Sequence, residues 1–511
     1  MKEKLSPIYF VLCLILSAAC GTKNYEEPTQ ATPINEAVSI FPDYTGVVVP
    51  PNIAPLNFMV RSTGDNYVAV LKCGKEKLIS GAGKSAKIQF EPTSWKSFLT
   101  LCKGKTIEVS LYIEREGKWS VFPKYKMDVA EEPIDEYLSY RLIEPGYELY
   151  RQVGLYQRNL TNFDVQTIYE NNRAFNRPEN HCVNCHNYQN YSTKRMLFHV
   201  RAAMGGTIFA EGGKITKMNL KNDSILSSSV YPSWHPTKDW VVFSSNQTGQ
   251  IFHILDTDKI EVLDYGSDLI FYNVGTREIS NILKTPADLE TFPCWNPAGD
   301  RVYYCVAHRE DFLENPDSTH SKLAVQSPQK FLYNIMSIPF DTLTMTFGTP
   351  QMEVPCTEIE RSASVPRISP DGRYLLFTLG KYGQFHIWHK SADLYVKDLQ
   401  TGYIYPLVEA NSPNVDSYHS WSSNGRWIVF SSRRDDGSFT RPYFTYFDKN
   451  GKSRKAFMLP QEDPEHNIML FKSYNVPELT KDAVPYTCEQ FREAIYNQEG
   501  DTVAYKEIRK F

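Results

Sequence analysis

The chain has 511 residues, with 55 Lys and Arg against 59 Asp and Glu and a formal charge of −4. So even a balance gives no electrostatic case for nucleic acid. With 41% hydrophobic and 13% aromatic residues it can build real cores. No segment after the leader holds 18 consecutive apolar residues, so no transmembrane helix is expected.

Lys2 and Lys4 precede a nine-residue apolar run, Ile8 to Leu16, which is too short to span a membrane. Ser17-Ala18-Ala19-Cys20 then resembles a bacterial lipobox. That resemblance makes residues 1–20 a lipoprotein signal peptide and Cys20 the lipid-carrying residue. The plainer alternative is an ordinary signal peptide with a chance cysteine. Ser17 departs from the Leu more usual at its position. Residues 21–40 are polar and read as a flexible tether. Glu26-Glu27 is similar to the surface-export signals of some Gram-negative lipoproteins. The expected location is the bacterial cell envelope, lipid-anchored at the outer membrane, with the periplasmic or surface face open.

After the leader, about 490 residues allow roughly three domains. Residues 41–130 alternate short apolar runs with turns, as in Tyr67-Val68-Ala69-Val70-Leu71 and Ile107-Glu108-Val109-Ser110-Leu111-Tyr112-Ile113. This pattern predicts strands, and their spacing suits an immunoglobulin-like β-sandwich. In an oxidising compartment Cys73 and Cys102 are a plausible bridge within it.

Residues 131–204 change character. Glu132-Pro133-Ile134-Asp135-Glu136 reads as a helix start, so a short α-helical segment is expected here. It contains Cys182-Val183-Asn184-Cys185-His186, the C-x-x-C-H attachment sequence of c-type haem. The expectation is one covalent haem c, with Cys182 and Cys185 forming thioethers and His186 the proximal ligand. His199 is the preferred distal ligand and Met196 the alternative; His181 and Met204 are also close in sequence. Tyr188, Tyr191 and Phe198 are candidates to pack the porphyrin, and Arg195 or Arg201 to pair with a propionate. Blander readings stand beside these: His199 as an interior histidine, Met196 as core filler, and the two cysteines as a disulfide or zinc site. His181, Cys182, Cys185 and His186 are too contiguous to wrap one zinc comfortably. No βαβ unit precedes the motif to support a thioredoxin-like reading.

From about residue 205 the chain repeats. Pro232-Ser233-Trp234-His235-Pro236, Pro293-Cys294-Trp295-Asn296-Pro297, Pro366-Arg367-Ile368-Ser369-Pro370 and His419-Ser420-Trp421-Ser422-Ser423 each open a polar turn followed by an apolar strand. These hairpins resemble the β-propeller repeats of the TolB family. The resemblance implies radial four-stranded blades over 205–464, six in number. The 465–511 tail, or the stretch before 217, is then needed to complete the ring. Insertions are expected near 251–266, 308–333 and 380–392. The fold class is therefore mainly β: sandwich, helical haem segment, propeller.

Within the propeller, Cys294 and Cys305 flank one hairpin without an obvious pairing register. His386 and His389 fall in an insertion, where packing is the better reading and a pore-mouth site the sharper one. Arg433-Arg434-Asp435-Asp436 reads as a solvated loop. No Gly-rich phosphate loop, H-E-x-x-H or G-x-S-x-G occurs, so a hydrolase lacks a nucleophile and an enzyme is the less favoured class. The leading expectation is an exported haem protein for electron transfer or redox sensing, with the propeller docking an envelope protein or redox partner. The alternatives are a non-redox scaffold binding a protein or glycan, and a haem enzyme with an open sixth site.

Overall fold

The computed structural model describes residues 25–144, 152–172, 181–253, 258, 260–309, 327–497 and 499–510. The leader, Cys20 and most of the insertion expected at 308–333 lie outside the described residues. The alternating runs do fold as strands, and the protein is mainly β, with a β-propeller as its larger part. No helix among the described residues is long and apolar enough to cross a membrane.

The N-terminal domain packs two sheets around one core. The larger contains Asn66–Cys73, Glu76–Ala82, Thr106–Arg115, Lys118–Val121 and Tyr125–Val129; the smaller contains Ile40–Phe41, Phe58–Val60 and Lys87–Ile88. A helix the strand pattern did not announce, Pro92–Cys102, closes the domain. Proline sits in its first turn, and the Glu91 carboxylate accepts from the Thr93 and Ser94 backbone amides at 2.9 and 2.7 Å. Trp95, Phe98, Leu99 and Cys102 recur at helical spacing and bury one face. Cys73 and Cys102 meet there as free thiols in hydrogen-bond contact. Burial first, and then Cys73, raises the Cys102 thiol above the ordinary range.

The tether expected over 21–40 is not free where the structure describes it. Glu27 bridges Lys72 and Lys77 at 2.9 and 2.7 Å, and Thr32–Pro33 pairs in parallel with Ser120 and Val121. Those contacts add an edge strand to the larger sheet.

The described residues of the rest of the chain form six blades. Blade 1 is His181–Gln189, Ser192–Ala202, Gly206–Glu211 and Lys214–Asn219. Blade 2 runs from Ser229–Trp234 to Glu278–Leu283, and blade 3 from Asp288–Trp295 to Gln351–Val354. Blade 4 runs from Ser362–Ile368 to Ile404–Pro406, and blade 5 from Asp416–Trp421 to Phe457–Met458. Blade 6 is composite. Its inner strand, Ser473–Thr480, comes from the C-terminal end and pairs with Tyr137–Ile143, which continues through Val153–Asn159 to Val165–Glu170. The six inner strands contact one another in ring order, the last returning to the first.

Both stretches proposed to complete the ring therefore do so. The helical segment expected over 131–204 is β in its described residues. Glu132 to Glu136 is irregular, and the C-x-x-C-H motif lies in the inner strand of blade 1. Pairing with a distant strand overrode the local helix-start signals, since an inner strand gains ladder hydrogen bonds and a buried face together.

The sandwich rests on blades 5 and 6 through a continuous apolar core that includes Trp427, Tyr474 and Leu479. Trp427 Nε1 donates to the Glu132 carbonyl at 3.1 Å. At the other rim the C-terminal segment pairs in parallel with blades 1, 2 and 3 through Asp501–Thr502, Ala504–Tyr505 and Arg509–Lys510. It acts as a strap across three outer edges.

Candidate functional site

Each inner strand breaks its pairing register at an equivalent place, and blade 1 breaks again at Tyr188/Gln189. Cys185, Tyr231, Phe292, Val365, Tyr418 and Val476 all have positive φ, between 48° and 53°. Shifts recorded at Asn184/Asn187, Val230/Ser233, Thr291/Cys294, Ser364/Arg367 and Ser417/Ser420 are β-bulges at these residues. Positive φ is strained for any residue with a Cβ, and most for the β-branched Val365 and Val476. Six repeats of the same strained turn give the ring one common geometry: all six bulge residues border a single axial cavity of about 870 Å³.

The residue after each bulge is Pro232, Pro293, Pro366 and Pro477 in four blades, but His186 in blade 1 and His419 in blade 5. The position two further on is Tyr188, Trp234, Trp295, Ile368, Trp421 and Leu479. The C-x-x-C-H motif thus ends at the position held by Pro in four blades, with Cys185 as the bulge residue. Cys182, Cys185 and His186 all border the cavity. Cys182 is buried, and its sulfur accepts a hydrogen bond from Asn184 Nδ2 at 3.0 Å; Cys185 is half-buried. Both are free thiols.

The cavity holds an unusual number of unsatisfied polar atoms. Among the described residues, Arg141 Nε, both ring nitrogens of His186, Trp234 Nε1, Trp295 Nε1, the Tyr418 hydroxyl, His419 Nε2 and one Glu144 oxygen are buried without a hydrogen-bond partner. Buried polar groups normally find one, so these call for a ligand or ordered water. Burial first, with help from Arg141, pushes His186 down to about 3; the nearby Val476 backbone opposes the shift. His186 is a neutral imidazole at physiological pH. Its Nε2 lies 4.0 Å from Glu478 Oε2, outside hydrogen-bond range. Glu478 is pushed up to about 8 by burial, against a hydrogen bond from Asn187 and the Tyr188 amide. Burial likewise lowers His419 to about 3.

The other sequence candidates divide. Tyr188 and Tyr191 border the cavity. Met196 and Phe198 do not reach it; they fill the core between blades 1 and 6. His199 is buried on the second strand of blade 1, opposite Asn184, with Nδ1 unpartnered. It stands behind the inner strand, because successive residues there alternate between the two neighbouring blades. The distal ligands preferred from sequence, His199 and Met196, are therefore not brought to the cavity, and His181 is engaged by the Tyr169 hydroxyl at 2.7 Å. Arg195 is committed to Glu211 and Asp239, both at 2.6 Å, over the Trp234 ring, whereas Arg201 borders the cavity.

Sequence reasoning missed His419, Arg141 and Arg367, all of which border the same space. His419 carries a readable signal, since it replaces Pro in the repeat. Arg141 lies on a strand where the sequence suggests helix. His386 and His389 are both buried. His386 Nδ1 meets Ser364 Oγ at 2.8 Å, and His389 Nε2 lies 3.1 Å from Glu261. Glu261 belongs to the extended hairpin Trp240–Phe252 and Ile260–Asn273, the insertion expected at 251–266, whose Thr248, Gly249 and Val262 close over one end of the cavity. Arg433 corrects the solvated-loop reading: it is buried, donates to the Ile387 carbonyl at 2.7 Å, and stacks 3.5 Å from the Trp388 ring centre. Cys294 and Cys305 are free thiols on paired strands, out of register with each other.

No protein-family model matches the chain, and no curated protein matches it. Among solved structures, an oligogalacturonate lyase in complex with manganese is similar at TM-score 0.35 and 11% identity, over 63% of this chain and 73% of that one. A prolyl endopeptidase is similar at 0.34 and 12%, over 63% of this chain and 42% of that one. The tricorn protease is similar at 0.29 and 10%, over 68% and 33%. The chain spans less than half of either peptidase. These likenesses concern the fold alone.

Proposed function

We propose that the axial cavity holds one haem c, attached through Cys182 and Cys185, and that the protein is an envelope electron-transfer or redox-sensing protein. The observation that carries this reading is the placement of C-x-x-C-H: both thiols and His186 border one cavity of about 870 Å³, a size suited to a cofactor. Among the described residues no group of three His, Cys, Asp or Glu is arranged to hold a metal ion by itself. The residues present fit a porphyrin. Two sulfurs sit three residues apart across a bulge, a neutral imidazole has no other partner, and Tyr188, Tyr191, Trp234 and Trp421 supply flat apolar walls. Bound haem would supply one-electron chemistry. The chain would hold it, exclude bulk water behind the 240–273 hairpin, and offer His186 as an axial ligand.

The propeller resembles the TolB type in its hairpin sequences, and its outer face would dock the redox partner. The leader and Cys20 would tether the protein to the outer membrane by lipid.

Haem staining on a denaturing gel, after expression with a c-type maturation system, tests the reading. The expected result is covalent haem in the natural chain and none in Cys182→Ala/Cys185→Ala. A folded, exported protein without haem would overturn it and leave a propeller scaffold for an envelope protein or glycan.

A further inference from the structure

We propose that Arg141 and Arg367 are the carboxylate-recognition residues of the axial cavity, each receiving one carboxylate of a flat, apolar dianion. On the haem reading, on which the identity of the ligand rests, these carboxylates are the two propionates. Arg141 enters from the second strand of blade 6 and Arg367 from the inner strand of blade 4. Both border the cavity. Arg141 donates only to the Val183 carbonyl at 3.2 Å, and its Nε is buried with no partner; Arg367 donates only to the neighbouring Pro366 carbonyl at 2.9 Å.

Among the described residues no carboxylate lies within ion-pair distance of either guanidinium. The two acids bordering the cavity have hydrogen-bond or ion partners of their own, and the Arg367 charge acts on Glu478 without forming an ion pair. Glu478 accepts from Asn187 and Tyr188, and Glu144 lies 4.0 Å from Lys472. A guanidinium is a fork of donors that stays charged, and leaving it half-satisfied beside a cavity is unfavourable unless an anion completes it. Tyr231, Trp234, Phe292 and Trp421 border the same cavity, so cationic and aromatic groups line one space. It replaces the sequence candidate Arg195, which is already paired.

The test uses the full chain as Cys182→Ala/Cys185→Ala, so that binding is reversible, with mesoporphyrin and its dimethyl ester as probes in fluorescence titrations. The diacid is expected to bind at least tenfold more tightly than the diester. Arg141→Gln and Arg367→Gln should each weaken the diacid about tenfold and leave the diester unchanged. Arg141→Lys, which keeps charge without the fork, serves if Arg141→Gln does not fold, and should give an intermediate loss. Equal affinity for diacid and diester, or equal losses for both in the variants, would overturn the assignment. Binding of a small aromatic dicarboxylate with the same arginine dependence, in a chain that takes no covalent haem, would keep the arginine assignment and retire the haem reading. Absence of binding by either dianion would retire both.

Discussion

The two cysteine pairs show what distinguishes a core from a site. In the sandwich, Cys73 and Cys102 lie in a closed apolar cluster with Phe90, Trp95 and Phe98, and the indoles of that cluster, Trp95 and Trp427, donate to the Ile53 and Glu132 carbonyls at 3.0 and 3.1 Å. At the propeller axis, buried Cys182 and half-buried Cys185 border a cavity beside unpaired imidazole, indole and guanidinium nitrogens. Polar satisfaction separates the two regions. A core is complete without a ligand, whereas the axial cavity is not.

Substitutions should separate the two regions. Trp95→Ala removes a fully buried indole packed 5.1 Å from Phe90. It is expected to cost about 3–5 kcal/mol in denaturant unfolding of the sandwich and to leave cavity binding intact. Loss of porphyrin binding in that variant would break the comparison. Mild oxidation is expected to close Cys73–Cys102 and stabilise the sandwich by about 2–4 kcal/mol. In the haem-free chain, differential alkylation and mass analysis would detect two thiols protected there while Cys185 remains reactive.

The pH dependence should reside in the propeller. Burial raises Glu290, between blades 2 and 3, to about 8 from an ordinary value near 4.5, with Asp268 adding to it. The folded state then binds a proton that the unfolded state has lost. Its contribution is present below about pH 4.5 and disappears as pH rises through 8. Buried histidines such as His186 and His419, lowered to about 3, oppose that loss at acidic pH, so unfolding midpoints of the natural chain should fall between pH 7 and pH 8, and Glu290→Gln should flatten that fall. The smallest effect is expected for His419→Leu in the haem-free chain. Replacing an imidazole with an unpaired nitrogen by an apolar side chain should change stability by about 1 kcal/mol or less, in either direction. A loss of several kcal/mol in thermal unfolding would show that His419 is a core group, which would make the cavity less distinct from the sandwich than proposed.

Much of this architecture is legible along the chain. Period-2 alternation marks the strands, and Pro-x-Trp or a near variant (Pro-x-Ile, His-x-Trp) followed by a polar turn marks blades 2 to 5. Blade 1 hides because His186-Asn187-Tyr188 replaces Pro-x-Trp, and the cysteines beside it carry a stronger signal of their own. Tyr418-His419-Ser420-Trp421 aligns with Cys185-His186-Asn187-Tyr188, and that match is the trace of blade 1 in the sequence. Blade 6 hides for a different reason. Its inner strand and the strand beside it are roughly three hundred residues apart, and no local pattern encodes that pairing. The helix Pro92–Cys102 carries its own signals, a capping Glu91 and an early proline, inside a stretch whose neighbours alternate as strands.

By itself the sequence determined many strands of the sandwich and of blades 2 to 5, that a repeat runs through the second half, and that two thiols and an imidazole come as one motif. Those are local properties, set by side-chain period, turn residues and spacing. Only the tertiary structure decided that the motif lies on an inner strand. Ring closure and the common bulge made that decision, turning Cys185 into one of six axial residues. It also decided that Arg141, Arg367 and His419, from three different blades, face one space. Such convergence depends on how blades are ordered around an axis, and no window along the chain contains that information.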